Sequence, residues 1–509
     1  ILNRRRLRAA LVVLGACFAS CRPKDPVPLP EPVRLARQTP VLSLDPTESE
    51  PRTLSALANV FEPLVAYDRD LNLVPALATR WETPDETTWD FSLRRGVTFH
   101  DGSPLDAPVV VAALERARLS RESGVPGTLW AVSHVEATGG HSVRIRTRVP
   151  DALLLHELTL VLVPRGTSRA EIETRPVGTG PYRVAGWSRG GPLDLEAWDG
   201  YWGPSPLLRS VRIDALPPGV DGAAALASGR AEVAELSPSA ARAAPPAGVR
   251  FVTSPGLTTF YLWMNGPKTI EGRPNPFADV RVRRAAARAI DRARLARAAT
   301  GTNATAALQL VPPTVFGHVP SMTTLPYDPP AARALLQAAG YTLPVEAVLS
   351  YPALRSDDPA ASALREMLDE AGFRVTLRPV AWDQVQAELR GGRLSLFFGG
   401  WVFDGPDAGG FLRDCIRSRG PNGRTGDFNS GYANPEVDRL VDASYGAFVR
   451  NARLTLLEEA MRIANADAPL VPLFHRPDAW AVAPGLLWEP RPDGKVLAAE
   501  MRPAEAPRS

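Results

Sequence analysis

Residues 88–107 read TWDFSLRRGVTFHDGSPLDA. Trp89, Phe91 and Leu93 alternate with polar residues, the period-two pattern of a strand with one buried face. His100-Asp101-Gly102 makes a turn, and Asp106-Ala107-Pro108 caps a helix expected to run to about Leu119. No second His stands at ligand spacing from His100, so no metal site is expected there.

The same punctuation continues outward in both directions. Upstream, VRLARQTPVLSLDP (33–46) is a strand and a turn, Leu54 to Leu64 has helical spacing, and residues 65–82 alternate short strands with turns. Downstream, Gly178 and Gly180 bracket Thr179 before a proline, which suits a tight turn with positive φ. Asp279 caps a helix with an apolar stripe of Val282, Ala286, Ala289, Ile290 and Ala293. Its other face carries Arg281, Arg284, Arg288 and Arg292, read as a solvated face. Helices at 331–339 and 361–371 stop at Gly340 and Gly372. The strand FRVTLRPV (373–380) follows the second of them, the order of a mixed α/β domain.

Residues 394–411, LSLFFGGWVFDGPDAGGF, carry the candidate site. Leu394, Leu396, Phe397 and Phe398 form a buried strand that is expected to end at Gly399-Gly400. Trp401, Phe403 and Asp404 then stand at its mouth. Two aromatics and one carboxylate there could form an apolar pocket with a charged handle, or an ordinary loop with a solvated Asp.

Apolar content of 45% and charged content of 22% are those of a soluble globular protein, and 509 residues allow about three domains. The 51 prolines and 40 glycines favour loops over long helical bundles. Net charge is +3, but Arg4, Arg5, Arg6 and Arg8 supply four of those charges, so the remainder stands at −1. A near-neutral body gives no electrostatic case for a nucleic-acid partner. The leading arginines and the apolar run Ala9 to Ser20 make residues 1–20 a signal peptide, too short an apolar run to span a bilayer. Phe18-Ala19-Ser20-Cys21 resembles a bacterial lipobox, with Cys21 the lipidated residue. The proline-rich stretch 21–32 is then an extended tether of roughly 3 Å per residue. Cys415 is the one cysteine left in the body, and a small buried filler is its expected role.

Several blocks, in order, resemble one family. LDP (44–46), FEPLVAYDRDLNLVPALATRWE (61–82) and residues 88–107 look like the N-terminal signature of extracellular solute-binding protein family 5. Those proteins are the dipeptide- and oligopeptide-binding lipoproteins of ABC importers. PVGTGPY (176–182), LEAWDGYWGPSPLLRSVRI (195–213), FYLWMN (260–265), residues 276–292, YDPPAARALLQAAGY (327–341) and DFNSGYANPEVDRLVDAS (427–444) continue the likeness. The resemblance implies an α/β, two-lobed, periplasmic-binding-protein-like (class II) fold with hinge strands and an extra domain inserted in the first lobe. Carried over, lobe one is 33–46, 164–262 and 470–509, the inserted domain 47–163, and lobe two 263–469. The crossings fall near Leu257–Asn265 and Pro469–Phe474.

What the family binds sits between the lobes and is enclosed as they close. In its peptide-binding members an Asp three residues after a Trp pairs with the substrate's α-ammonium. Asp404 matches that position after Trp401, with Trp401 and Phe403 as apolar walls. Dipeptide-specific members place an Arg where this chain has DDPAAS (357–362), so an oligopeptide fits better than a strict dipeptide. Relatives in the same fold bind haem, metal chelates, glutathione, opines or oligosaccharides, and those stay open as ligands. The implied partners are a peptide, ABC permease subunits and a membrane reached through the lipid, with the protein a monomer in the periplasmic or extracytoplasmic envelope. No cofactor is implied.

The rival classes leave weaker marks. There is no GxSxG, HExxH or glycine-rich phosphate loop, and His156-Glu157 is followed by Leu158, Thr159 and Leu160, so no catalytic residues are assigned. A hydrolase of peptides would turn them over. An extracytoplasmic chaperone would bind unfolded segments weakly and without lobe closure.

Overall fold

The computed structural model describes residues 29–47, 51–120, 129–166, 168–217, 219–238, 240–264, 266–300, 304–353, 358–403, 405–420, 425–429 and 431–504. Residues 1–20, expected to be a signal peptide, and Cys21 lie outside the described residues.

Two long strands, Arg250–Met264 and Leu470–Val482, organise the rest. They pair antiparallel with each other and lie in the middle of an eleven-stranded mixed sheet. They are longer than the crossings expected from the sequence and reach into both lobes. Toward one edge stand Leu396–Val402, Val345–Pro352 and Phe373–Val380, and toward the other Val233–Glu235, Val33–Arg37, Ser210–Ala215, Leu193–Ala197 and Tyr182–Trp187.

Strand directions follow from the register. Leu396–Val402 runs antiparallel to Arg250–Met264, from Leu396 opposite Met264 to Val402 opposite Thr258. Val345–Pro352 runs parallel to it. In the first lobe, Val233–Glu235 is antiparallel to Leu470–Val482, with Glu235 opposite Trp480, and Val33–Arg37 is parallel to Val233–Glu235. The parallel strands of both lobes therefore end at the same place, with their C-terminal ends facing one another.

At that place the crossing strands lose their pairing. It breaks after Ser254 opposite Asp478 and resumes at Thr258 opposite Arg476. Gly256 sits in the gap at φ +66°, and a Cβ there would stand 3.0 Å from the Arg476 carbonyl oxygen. Only glycine meets both demands.

The cores follow this division. In the second lobe, helices Val280–Arg288, Arg292–Thr300, Pro329–Ala338 and Pro359–Glu370 pack Val282, Ala286, Leu336 and Leu364 against Leu262, Leu349 and Phe398 on one face of the sheet. On the other face Tyr261, Phe397, Phe411 and Cys415 pack with helices Pro435–Tyr445 and Arg450–Asp467. Gly340 and Gly372 end two of the first group of helices at φ +91° and +100°, as expected. In the first lobe Val33, Leu35, Tyr182, Leu195 and Val211 share a core with Leu54–Phe61 and with Trp480–Met501. A separate core joins Trp89, Phe91 and Leu93 to Val110 and Leu114. It is built on the four-stranded sheet of Ala78–Asp85, Thr88–Leu93, Ser142–Thr147 and Val132–Gly139 and on the helix Ala107–Leu119. That helix begins where Asp106 accepts a hydrogen bond from Val109 N at 3.2 Å.

Three readings of the sequence are corrected. The strand does not stop at Gly399-Gly400 but runs through both to Val402. A Cβ on Gly399 would strike the Phe397 ring and one on Gly400 would crowd the Phe260 ring at 3.2 Å, so these glycines make room for aromatics rather than end the strand. Neither Gly178 nor Gly180 has positive φ. Their backbone lies against residues 59–61 instead, with Gly180 N donating to Val60 O at 2.9 Å and Tyr182 N to Asn59 O at 3.1 Å. The basic face on Val280–Arg288 is not simply solvated. Arg281 donates to Ala338 O and Arg284 to Ala466 O, while Arg292, expected on the same face, begins the next helix and, buried, donates to Pro472 O at 2.8 Å. Carbonyls at a helix end and on the crossing strand need donors, and these guanidiniums supply them.

The sequence blocks at 61–82, 176–182 and 195–213 converge on Glu62. Its buried carboxylate accepts from Thr179 Oγ1 at 2.8 Å, Trp202 Nε1 at 2.9 Å and Tyr201 Oη at 3.0 Å. His100 joins the same knot. Gly178 N donates to its Nδ1 at 3.3 Å, which leaves Nε2 to donate to Gly180 O at 3.0 Å.

Candidate ligand-binding cleft

The converging strand ends define the cleft. Arg37 and Glu235 close the first lobe's strands and Pro352 and Val402 the second's, with the crossing strands as the floor. In open mixed sheets such a meeting of C-terminal ends is where ligands bind. Trp401 lies at this mouth, opposite Thr259, whose hydroxyl is 2.8 Å from His475 Nδ1. Burial, with the charge of His318 second, pushes His475 down to about 4, so this imidazole is neutral at physiological pH.

Of the three residues singled out by the sequence, two are described. Trp401 is half-buried, its ring edge-on to Phe428 at 5.2 Å and to Phe411 at 6.0 Å. Phe403 is buried and packs on Phe411 at 5.2 Å. The two aromatics share a support, Phe411, but Trp401 alone reaches solvent. Asp404 lies outside the described residues.

The loop after it is anchored by groups whose roles the sequence did not indicate. Asp407, buried, takes a bidentate ion pair from Arg453, with Nη2 donating to Oδ1 at 2.7 Å, and its Oδ1 also accepts from Gly409 N at 2.7 Å. Burial opposes ionisation of Asp407, but the charge and hydrogen bonds of Arg453 hold its carboxyl below the usual range. On the facing side, Tyr67 Oη lies 2.6 Å from His156 Nδ1, and a Cβ on Gly405 would come within 2.5 Å of that oxygen. Asp407 lay in view in the quoted stretch, but nothing in the sequence links it to Arg453, forty-six residues on.

A buried charge cluster lies beside this loop. Glu157, on the helix Leu154–Leu158, accepts from Arg413 Nη1 at 2.8 Å and from Leu129 N at 2.7 Å. Arg413 also holds Asp414 at 2.7 Å. Asp151 is less well served. Its Oδ1 accepts from Leu153 N at 3.0 Å, its buried Oδ2 has no hydrogen-bond partner among the described residues, and burial pushes its pKa up to about 6. A folded-state pKa above the unfolded one means that stability present below about pH 4 is lost as pH rises through about 6. Asp151→Asn is expected to remove that loss, leaving the variant more stable than wild type at pH 8 by roughly 3 kcal/mol. Melting curves from pH 4 to 8 check this, and parallel curves for the two proteins would refute it.

With the site in place, the chain can be compared with known proteins. The family model for bacterial extracellular solute-binding proteins, family 5 (middle region), matches residues 72–422. The chain belongs to family 5 of the bacterial extracellular solute-binding proteins. The resemblance read from the sequence blocks is borne out, and membership of a solute-binding family accords with a protein that is not an enzyme. Relatives of this family 5 protein include the glutathione-binding protein GsiB of Salmonella paratyphi A, 28% identical over 450 residues, which cover 85% of this chain and 86% of that one. GsiB of Escherichia coli O157:H7 is 27% identical over 92% of this chain and 93% of its own. Among solved structures, NikA from Brucella suis in complex with Fe(III)-EDTA superposes with a TM-score of 0.81 at 22% identity, over 93% of this chain and 99% of that one. DppA from Helicobacter pylori in complex with peptide STSA gives 0.79 at 21%, over 93% and 98%. The two-lobed periplasmic-binding-protein fold is therefore that of this family 5 protein. No helix among its described residues is long and apolar enough to cross a membrane.

Proposed function

We propose that the protein is the substrate-binding lipoprotein of an ABC importer. It captures peptides between two closing lobes and delivers them to a membrane permease. The observation that carries this is the meeting of parallel strand ends from both lobes over crossing strands whose pairing is broken at 254–258. A hinge needs a few residues free of ladder bonds, and a ligand enclosed there contacts both lobes at once. Lipidation at Cys21, the tether 21–32, an inserted domain at 47–163 and a second lobe at 263–469 complete the proposal. The separate core around Trp89 and Phe91 supports the inserted domain.

At the mouth, Asp404 pairs with the peptide's ammonium while Trp401 forms the accessible apolar wall and Phe403 packs behind it. A charge-assisted hydrogen bond of this kind contributes about 1.5–3 kcal/mol net, and closure shields it from solvent. The relatives named for glutathione make that γ-linked tripeptide the first probe, and a free-amine tripeptide such as trialanine the second. Native mass spectrometry of the protein lacking residues 1–21 should reveal a ladder of bound peptide masses. Small-angle scattering should show compaction on saturation with the bound class. Asp404→Ala is expected to weaken free-amine peptides by about 10- to 100-fold. Unchanged affinity moves the ammonium site elsewhere, and absence of compaction refutes closure.

A further inference from the structure

Arginines drawn into this protein's interior are matched to acceptors. Arg413, Arg453 and Arg491 each hold a carboxylate, and Arg283 and Arg292 are spent on backbone carbonyls. Arg476 differs. It is half-buried on the crossing strand, and among the described residues no carboxylate lies within ion-pair distance and no group accepts its hydrogen bonds. Its guanidinium rests on the Phe260 ring, 5.3 Å from the centroid. Asp478 follows on the same face of the strand, and Glu235 closes the neighbouring first-lobe strand. Burial, with the charge of Arg52 second, disfavours the charged form of Arg476, while the charges of Asp478 and Glu235, too far off to form an ion pair, favour it in part. A cation kept half out of water with no direct acceptor among the described residues costs stability that a structural residue would recover through one.

Its place suggests what the missing acceptor is. Arg476 is where pairing resumes after the break, at the point where both lobes' strand ends converge. Thr258 pairs with Arg476 on one side and Val402 on the other, so those two backbones stand about 10 Å apart at the usual strand spacing. Extended peptide rises about 3.3–3.6 Å per residue, so about three residues bridge that gap.

We propose that Arg476 holds the substrate's carboxylate, and that the substrate is a short free acid whose other end reaches the loop after Val402. This deepens the peptide-binding reading and rests on it for the ligand's class. A planar fork on an aromatic face presents two parallel N–H groups, the geometry that selects a carboxylate over an amide.

Calorimetric titration of wild type and Arg476→Gln with trialanine, trialanine amide and glutathione tests the assignment. Wild type should favour the acid over the amide by about 10- to 100-fold, and Arg476→Gln should weaken the acid to the level of the amide while leaving the amide unchanged. A preference that survives in Arg476→Gln overturns the assignment, as does a wild type with no preference. If Fe(III)-EDTA binds and the peptides do not, the peptide reading fails, whereas loss of that carboxylate ligand in Arg476→Gln still supports Arg476. A ligand-free measurement decides the case in which none of these probes binds. Arg476→Met should melt much closer to wild type than Arg453→Met does, because it breaks no ion pair or hydrogen bond among the described residues, and a fall comparable to that of Arg453→Met would make Arg476 structural and overturn the proposal.

Discussion

Arg453→Met is expected to destabilise the protein by about 3–5 kcal/mol, the cost of leaving a buried carboxylate without its counter-ion. Asp407 is enclosed, and besides Arg453 its carboxylate has, among the described residues, the Gly409 amide alone. Arg453 itself also donates to Ser444 O at 3.1 Å and lies over the Phe316 ring, so its removal loosens two further segments. Asp407→Asn in the same chain should recover part of the loss, because the amide oxygen still accepts from Gly409 N and no charge is stranded. The depressed pKa of Asp407 gives stability that is present above the unfolded carboxyl pKa and lost as pH falls through the folded one, and Arg453→Met should abolish that acid limb. Urea unfolding checks the magnitude. Arg439→Met, which breaks an exposed pair with Glu436, is the control, and a matching midpoint shift in the two variants would refute the assignment.

Gly178→Ala should be more damaging still. A Cβ at this position would lie 1.9 Å from the Val60 carbonyl oxygen and 2.8 Å from the Phe61 ring. The obstacle is backbone, so no rotamer change relieves it, and moving residue 60 breaks the Val60 O–Gly180 N bond and displaces Glu62 from its three donors. Loss of more than about 4 kcal/mol, or of soluble folded protein altogether, is expected. Gly96→Ala provides the comparison. It has φ +76° with nothing within 4 Å of a new Cβ, so only the left-handed backbone is strained, at about 1–2 kcal/mol. Chemical denaturation of both variants separates the two costs, and equal losses would show that close approach is not the reason for glycine at 178.

These contrasts show what the sequence could and could not convey. The strand at Trp89, Phe91 and Leu93, the caps at Asp106 and Asp279 and the stops at Gly340 and Gly372 are local, and local chemistry made them legible. Gly178, Gly180, Gly399 and Gly400 stand out in the sequence, but the reason for glycine there is not local, because what crowds them comes from elsewhere in the chain or from a ring on the same strand. The arginines of Val280–Arg288 read as a solvated face because their acceptors, the carbonyls of Ala338 and Ala466, carry no side-chain signature. Within the cleft, Trp401 was readable at the end of its strand. Arg476 was not, since a lone arginine in LFHRPDAW gives no sign that its guanidinium has no acceptor among the described residues.

The first-lobe core joins both ends of the described chain. Asn59 donates to Val496 O and accepts from Ala498 N, more than four hundred residues away, and Ser55 is bound in the same way to Val496 N. The second lobe, by contrast, draws its cores almost wholly from residues 257–474. A chain delivered amino end first can thus assemble its second lobe while its first is still missing an essential wall. Until residues 488–501 emerge, Leu54, Phe61 and Tyr182 have no cover from Trp488 and Met501. The arrival of residues 480–501 is therefore also the closing of the first lobe, and a chain that lacks them keeps apolar surface exposed to chaperones and proteases.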